Sequence, residues 1–172
     1  EIQDASTGKL PAVLRVDERL IHGQIAMVWS KALNLDGIIV ANDVVAADET
    51  QQMALKMAVP SGIKVLIRSV DEVAQVLHDP RAQQKHLLVL VRTVNDALRL
   101  AKQVDGFEYI NIGNVGKSVD GQKRTLTQFV MLTPSEYTSL EALAKLYPKT
   151  ALQNLPSDKK ILAQDKIKNQ EA

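Results

Sequence analysis

Within ten residues, the stretch RVDERLIHGQ (15–24) gathers an imidazole, two carboxylates and two guanidinium groups. It follows an apolar, strand-like run (12–16) and precedes a helical pattern, so His22 falls where a strand has ended and a helix is about to begin. The free amides of a first helical turn and the helix dipole attract anions. Gly23 lets an anion approach the backbone closely, Arg19 offers a fork of donors to phosphate or carboxylate, and Gln24 adds a neutral donor. The same positive helix end disfavours a charged imidazole, which keeps a ring nitrogen available as a nucleophile. A neutral imidazole, an arginine and a helix N-terminus suit attack on a phosphoryl donor, with the fixed charges holding the equatorial oxygens in line. Asp17 is placed to orient the arginine or the ring by accepting a hydrogen bond. On residue types alone, a lone histidine near a helix start is more often a partly exposed turn residue than a nucleophile. A non-catalytic module that senses an anion or nucleotide, and a receiver-like domain phosphorylated on Asp43, also stand as alternatives.

Other candidates carry less. Gly116-Lys117-Ser118 has the ending of a nucleotide-binding loop, but the first glycine of that motif would fall on Asn111, so a structural turn bordering the His22 site is expected. No dinucleotide fingerprint follows the first strand. His78 and His86 are isolated and read as surface or capping residues, Asp48 as a helix cap and Asp43 as a loop residue near the site. No metal site and no cofactor are expected.

The elements that position His22 follow from an alternation of short apolar runs with amphipathic stretches, the pattern of βαβ units. Strands are predicted at 12–16, 37–43, 63–69, 86–92, 109–113 and 150–155. The run at 37–43 is apolar enough to be central. A helix over 22–33 places Ile21, Ile25, Val28 and Ala32 inward with Trp29 beside them, and one opened by Asp48 turns Met53, Ala54, Met57 and Ala58 inward. Further helices are predicted over 71–78, after Asp96, and over 134–147 with Tyr137, Leu140, Leu143 and Ala144 inward. The lysine-rich segment 158–168 reads as a polar terminal helix. The turn Asp120-Gly121 leads into a hairpin-like element. The fold class is therefore α/β: an open, mostly parallel twisted sheet with helices on both faces and a small antiparallel edge element. Ligands of such sheets bind beyond the carboxyl ends of the strands, where 15–24 lies.

Composition sets the outer bounds. A chain of 172 residues suits one domain, assigned to 12–172, with 1–11 set aside as a tail or linker. Aromatic residues make up 3% and the formal charge is +1, which argues against a nucleic-acid partner. The absence of cysteine excludes disulfides and thiolate chemistry. No apolar stretch reaches the length of a membrane span and no signal-peptide pattern opens the chain, so a cytoplasmic location is expected.

LRVDERLIHGQIAMVW (14–29) closely resembles the N-terminal signature of the mannose/sorbose-type IIB components of the bacterial phosphoenolpyruvate-dependent sugar phosphotransferase system. The resemblance continues through IIVANDVVAAD, INIGNVG and MLTPSEYTSLEALAKL, and spans Leu14 to about Leu155. It implies an open, mainly parallel sheet and a phosphoryl group taken from the phosphohistidine of a IIA domain onto Nδ1 of His22. That group would pass to a sugar bound by membrane IIC and IID partners, which hold the protein at the inner face of the membrane and set most of the sugar specificity. The phosphate-facing arginine of the signature falls on Arg19 and its first acid on Asp17. A homodimer is left open. The segment GKSVDGQKRT (116–125) departs from the Gly-Gly-Met form of relatives, and the tail after Leu155 matches nothing in the pattern.

Overall fold

Nine strands and the helices between them form one α/β layer structure, and the computed structural model describes residues 10–171. The main sheet has the order β3-β2-β4-β1-β5-β8-β9, built from Lys64–Arg68, Gly37–Ala41, Leu87–Val91, Leu10–Asp17, Phe107–Asn114, Ala151–Leu152 and Ile161–Leu162. Every pairing in it is parallel except β8 with β9. A separate antiparallel hairpin, β6 (Arg124–Thr127) and β7 (Val130–Leu132), joins it through a bridge between Val115 and Val130. The mostly parallel sheet expected from the sequence is thus present. β1 runs longer at both ends than predicted and takes in Leu10 and Pro11 from the segment set aside as a tail; residues 1–9 of that segment lie outside the described residues.

Helices cover both faces. On one, Leu14, Val16, Val89, Val91, Ile110 and Ile112 pack beneath the helices Val70–Leu77, Val94–Ala101, Pro134–Leu146 and Ala163–Glu171. On the other, Val13, Ile38, Val40, Leu88 and Leu90 meet Ile25, Trp29 and Val45, with Leu55 against them. All five residues of β2 are buried, as its apolar sequence requires. Alternation along β1 sends Leu14 and Val16 to the first face and Val13 to the second. Arg15 and Asp17 therefore point to the second face, the one that receives the helix after His22. Tyr137, Leu140, Leu143 and Ala144 are buried as predicted.

Two helical stripes differ from expectation. The helix after His22 begins as a π-helix, Gln24–Trp29, and continues as the short α-helical stretch Ser30–Ala32. Its wider turn, closed by Ser30 N–H to the Ile25 carbonyl, buries Ile25, Ala26, Trp29 and Ser30 and leaves Val28 exposed, with Ala32 outside as well. In the helix Glu49–Met57, Met53 and Met57 are also exposed, at 64% and 83%. Here the inward side holds Leu55 and Gln52, whose amide donates to the carbonyls of Val45 and Ala46. The preceding turn Asp43–Ala46, capped by Asn42, and the Asp48 cap set the angle at which this helix docks.

This burial pattern makes opposite outcomes for two apolar truncations. Leu14→Ala, at a side chain with no exposure, should cost about 2–5 kcal/mol in chemical denaturation. Met57→Ala should stay within about 0.5 kcal/mol of the parent; a loss of several kcal/mol there would return Met57 to the core.

Candidate active site

The side toward which the chain winds reverses between the parallel strands β1 and β5. From β1 the chain leaves toward β2 on one side, and from β5 it leaves toward β8 on the other, so the crevice of this open sheet lies at their carboxyl ends. Arg15 pairs in register with Asn111 across that line, and Asp17 with Asn114 after a register shift at Val16. The sheet thus delivers two charged side chains of β1 to a point where no strand covers them from above.

Arg15 is fully buried. Its Nη1 donates to Asn111 Oδ1 at 2.7 Å and to the Gln153 carbonyl at 3.1 Å, and its Nη2 donates to Asp17 Oδ2 at 3.1 Å. The guanidinium lies 5.0 Å from the centre of the Trp29 ring, a cation–π contact. Trp29 Nε1 donates to the Asn154 carbonyl at 3.0 Å, which fastens the ring to the last part of the chain. Asn111 Nδ2 donates to the Tyr109 hydroxyl and to the Gln153 carbonyl. Gly113 leaves the room this needs: a Cβ there would sit 2.1 Å from Arg15 Cζ.

Asp17, with no exposed side-chain surface, joins this cluster to the surface. Its Oδ1 accepts from the Arg19 backbone amide at 3.0 Å and from Arg19 Nε at 3.3 Å. Its Oδ2, already bonded to Arg15, lies 2.9 Å from His22 Nε2. Burial works to raise the pKa of this carboxyl. The hydrogen bond from His22 and the charge of Arg15 outweigh it and hold Asp17 below the usual carboxylate range. Burial likewise pulls the Arg15 guanidinium down from its ordinary value, against the opposing charge of Asp17. An ionised Asp17 accepts from Nε2–H of His22, so the neutral ring in this arrangement is the tautomer whose lone pair is on Nδ1. Among the described residues, Nδ1 has no protein partner.

The chain reaches this arrangement through a tight turn. Leu20 N–H bonds back to the Asp17 carbonyl at 2.9 Å, and Leu20 sits at φ 60°, a left-handed conformation that costs a branched residue about 1–2 kcal/mol. Its side chain is completely buried, which contributes about as much in the other direction. The reversal carries Arg19 outward, 43% of its side chain exposed, and brings His22 back over Asp17 at 15%. His22 then offers its carbonyl to Ala26 N–H at the start of the helix that follows. Gly23 and Gln24 form the first turn, and a Cβ on Gly23 would meet no protein atom within 4 Å. Gln24 Oε1 accepts from Arg19 Nη2 at 3.4 Å, leaving the Gln24 amide nitrogen as a donor.

Asp17, Arg19, His22, Gly23 and Gln24 are therefore brought together, as the sequence reading grouped them. Arg15, Asn111, Gly113 and Gln153 were missed. The signal for Arg15 was a charge inside an otherwise apolar strand, two positions before Asp17 and hence on its face. Asp43 is not beside His22: its carboxylate accepts from Val70 N–H and from Arg99, and the Arg99 hydrogen bond leads in holding it below its usual range. Asp48 caps its helix as expected. His78 caps a helix C-terminus, and its ring meets the Gln103 carbonyl. Among the described residues no group of His, Asp and Glu side chains could hold a metal ion, and no helix is long and apolar enough to cross a membrane.

Fold and site define an open-sheet α/β protein with a carboxylate-held histidine at its topological switch point. Residues 12–172 match the family profile of the PTS system sorbose subfamily IIB component, PTS standing for phosphotransferase system. A probable phosphotransferase enzyme IIB component of Streptococcus pyogenes serotype M6 is 44% identical over 153 residues, spanning 86% of this chain and 93% of its own. The sorbose-specific EIIB component of Klebsiella pneumoniae is 36% identical over 153 residues, 89% of this chain and 92% of that one. The crystal structure of the IIBSor domain of the K. pneumoniae sorbose permease superposes with a TM-score of 0.84 at 34% identity, covering 95% of this chain and 98% of that chain. The chain belongs to the sorbose subfamily of phosphotransferase-system IIB components, and so to the transferases.

Breaking the buried pair tests the site as a unit. Arg15→Met strands the Asp17 charge and should cost about 3–5 kcal/mol at neutral pH. The stabilisation that Asp17 owes to its lowered folded-state value is present above the unfolded value and is lost as pH falls through the folded one. In urea titrations the stability gap between the parent and Asp17→Asn should therefore narrow as pH drops below about 4. A gap unchanged from neutrality into strong acid would show that Asp17 is not held by these charges.

Proposed function

We infer that this IIB component carries a phosphoryl group on Nδ1 of His22. The observation that supports it most is the 2.9 Å contact between Asp17 and Nε2, which engages that nitrogen and leaves Nδ1 without a protein partner among the described residues. In the first step the Nδ1 lone pair attacks the phosphorus of a phosphohistidine on a IIA protein. The donor's P–N bond breaks, and its imidazole leaves with the bonding pair. Asp17 stabilises the positive charge that develops on the His22 ring while Arg19, the amides of Gly23 and Gln24 and the Gln24 side-chain amide hold the equatorial oxygens. In the second step a sugar hydroxyl attacks the same phosphorus. The P–Nδ1 bond breaks and its electrons return to the ring, and the hydroxyl proton is lost to solvent or to a base of the acceptor complex. The sugar is presented by membrane-embedded IIC and IID components, and the IIB chain works in the cytoplasm, docked transiently on their inner face. No metal or organic cofactor takes part, and no nucleic acid is a partner.

His22 must serve two protein partners in turn, which fits a shallow site at the surface rather than a deep pocket. With phosphoenolpyruvate, the general phosphotransferase proteins and a sorbose-type IIA protein supplied, the chain should acquire an acid-labile, alkali-stable phosphate. His22→Ala should abolish that label with the fold retained, and Arg19→Ala should slow labelling by about 10²-fold. Full labelling of His22→Ala would end the assignment. Reversible anion binding that survives His22→Ala, without covalent phosphate in the parent, would make the chain a sensing module instead.

A further inference from the structure

Glu18 lies between Asp17 and Arg19, yet its side chain takes no part in the Asp17 network. It reaches instead to the Gly116-Lys117-Ser118 turn, about a hundred residues away. Its Oε1 accepts from Gly116 N–H at 3.1 Å, from Ser118 N–H at 3.3 Å and from the Ser118 hydroxyl at 2.8 Å. Its backbone is held as well. Glu18 N–H donates to the Asn114 carbonyl at 2.8 Å, and its own carbonyl accepts from Arg92 Nε at 3.1 Å. The residue that opens the active-site turn is thus fixed to the ends of β4 and β5 and to the loop beyond.

The receiving turn is itself rigid. Gly116 has φ +101°, and a Cβ there would lie 1.9 Å from the Met131 carbonyl oxygen. Val115 exchanges backbone hydrogen bonds with Phe129 and Met131, and Lys123 Nζ donates to the Gly116 carbonyl at 2.6 Å. A turn that ends like a nucleotide-binding loop therefore commits its amides to an internal carboxylate. The active-site turn, by contrast, is held from within by bonds that all end on Asp17. Its closing hydrogen bond runs from Leu20 N–H to Asp17, and Leu20 is left-handed. Arg19 and His22 sit on this turn, and their separation sets whether a phosphoryl group meets both.

We propose that Glu18 is a positioning residue for phosphoryl transfer at His22: a latch that fixes the 17–22 turn to the Gly116–Ser118 loop. The inference rests on the phosphohistidine reading above. It needs an oxygen acceptor at residue 18 but not a negative charge, and misplacing reacting groups by about 1 Å costs on the order of 10²-fold in rate.

Phosphoramidate, a small phosphoryl donor, tests this without a partner protein. Phosphate on His22 is quantified by mass spectrometry, and amide hydrogen exchange over residues 19–23 is followed in the same preparations. Glu18→Ala should fold, exchange faster across 19–23 and label at least about 10-fold more slowly. Glu18→Gln, which keeps an acceptor oxygen, should restore both properties to within a few-fold of the parent. Glu18→Ala matching the parent in rate and exchange overturns the proposal, as does Glu18→Gln failing as badly as Glu18→Ala. If the parent chain itself gains no phosphate on His22, the phosphohistidine reading fails and the positioning role with it. Exchange then separates the two failures, since a latch without a reaction still quickens in Glu18→Ala.

Discussion

Asp17 has no solvent around it, and four groups converge on its two oxygens: the guanidinium groups of Arg15 and Arg19, the Arg19 amide and the His22 ring. A buried carboxylate is tolerated only where charge and hydrogen bonds replace the lost water. That requirement makes the network directional. Arg15 supplies the compensating charge from below, and the ring and backbone bonds hold the surface turn from above. One ionised group thereby selects the tautomer of His22, orients Arg19 and fixes the turn between them.

The sheet makes this possible because the connections leaving β1 and β5 run to opposite sides of it. Parallel strands bury both faces, so a charge inside one of them is affordable only where neighbouring backbone can be drawn in as acceptor. Gln153, just past β8, fills that role for Arg15, and Gly113 on β5 leaves the volume that the guanidinium occupies. Trp29 closes the cluster from the helix side while bonding to Asn154. The site is thus assembled from β1, β5, the first helix and the segment after β8. Its surface residues come from one short stretch, but their support comes from the length of the chain.

The π-helical start of the first helix belongs to the same economy of space. A turn wider than 3.6 residues brings Ile25, Ala26, Trp29 and Ser30 inward together and seats the Trp29 ring over Arg15. Val28 lies on the opposite side, at the surface. The methionines of the Glu49–Met57 helix are exposed for a different reason: that helix has apolar residues on two sides, and its caps and the preceding short turn choose Leu55 as the docking side.

The linear order of residues by itself determined the α/β alternation, the central place of the 37–43 run and the grouping of Asp17, Arg19, His22, Gly23 and Gln24, because period-two and helical patterning and short-range spacing are local properties. The tertiary structure alone decided which ring nitrogen is held, since that depends on a turn with Leu20 in a left-handed conformation. It alone joined Arg15 to Asn111 and Gln153, and Glu18 to Ser118, across 96, 138 and 100 residues. Contacts at such separations depend on strand order and on the volume left by a single glycine, and neither is written in the residues that make the contact.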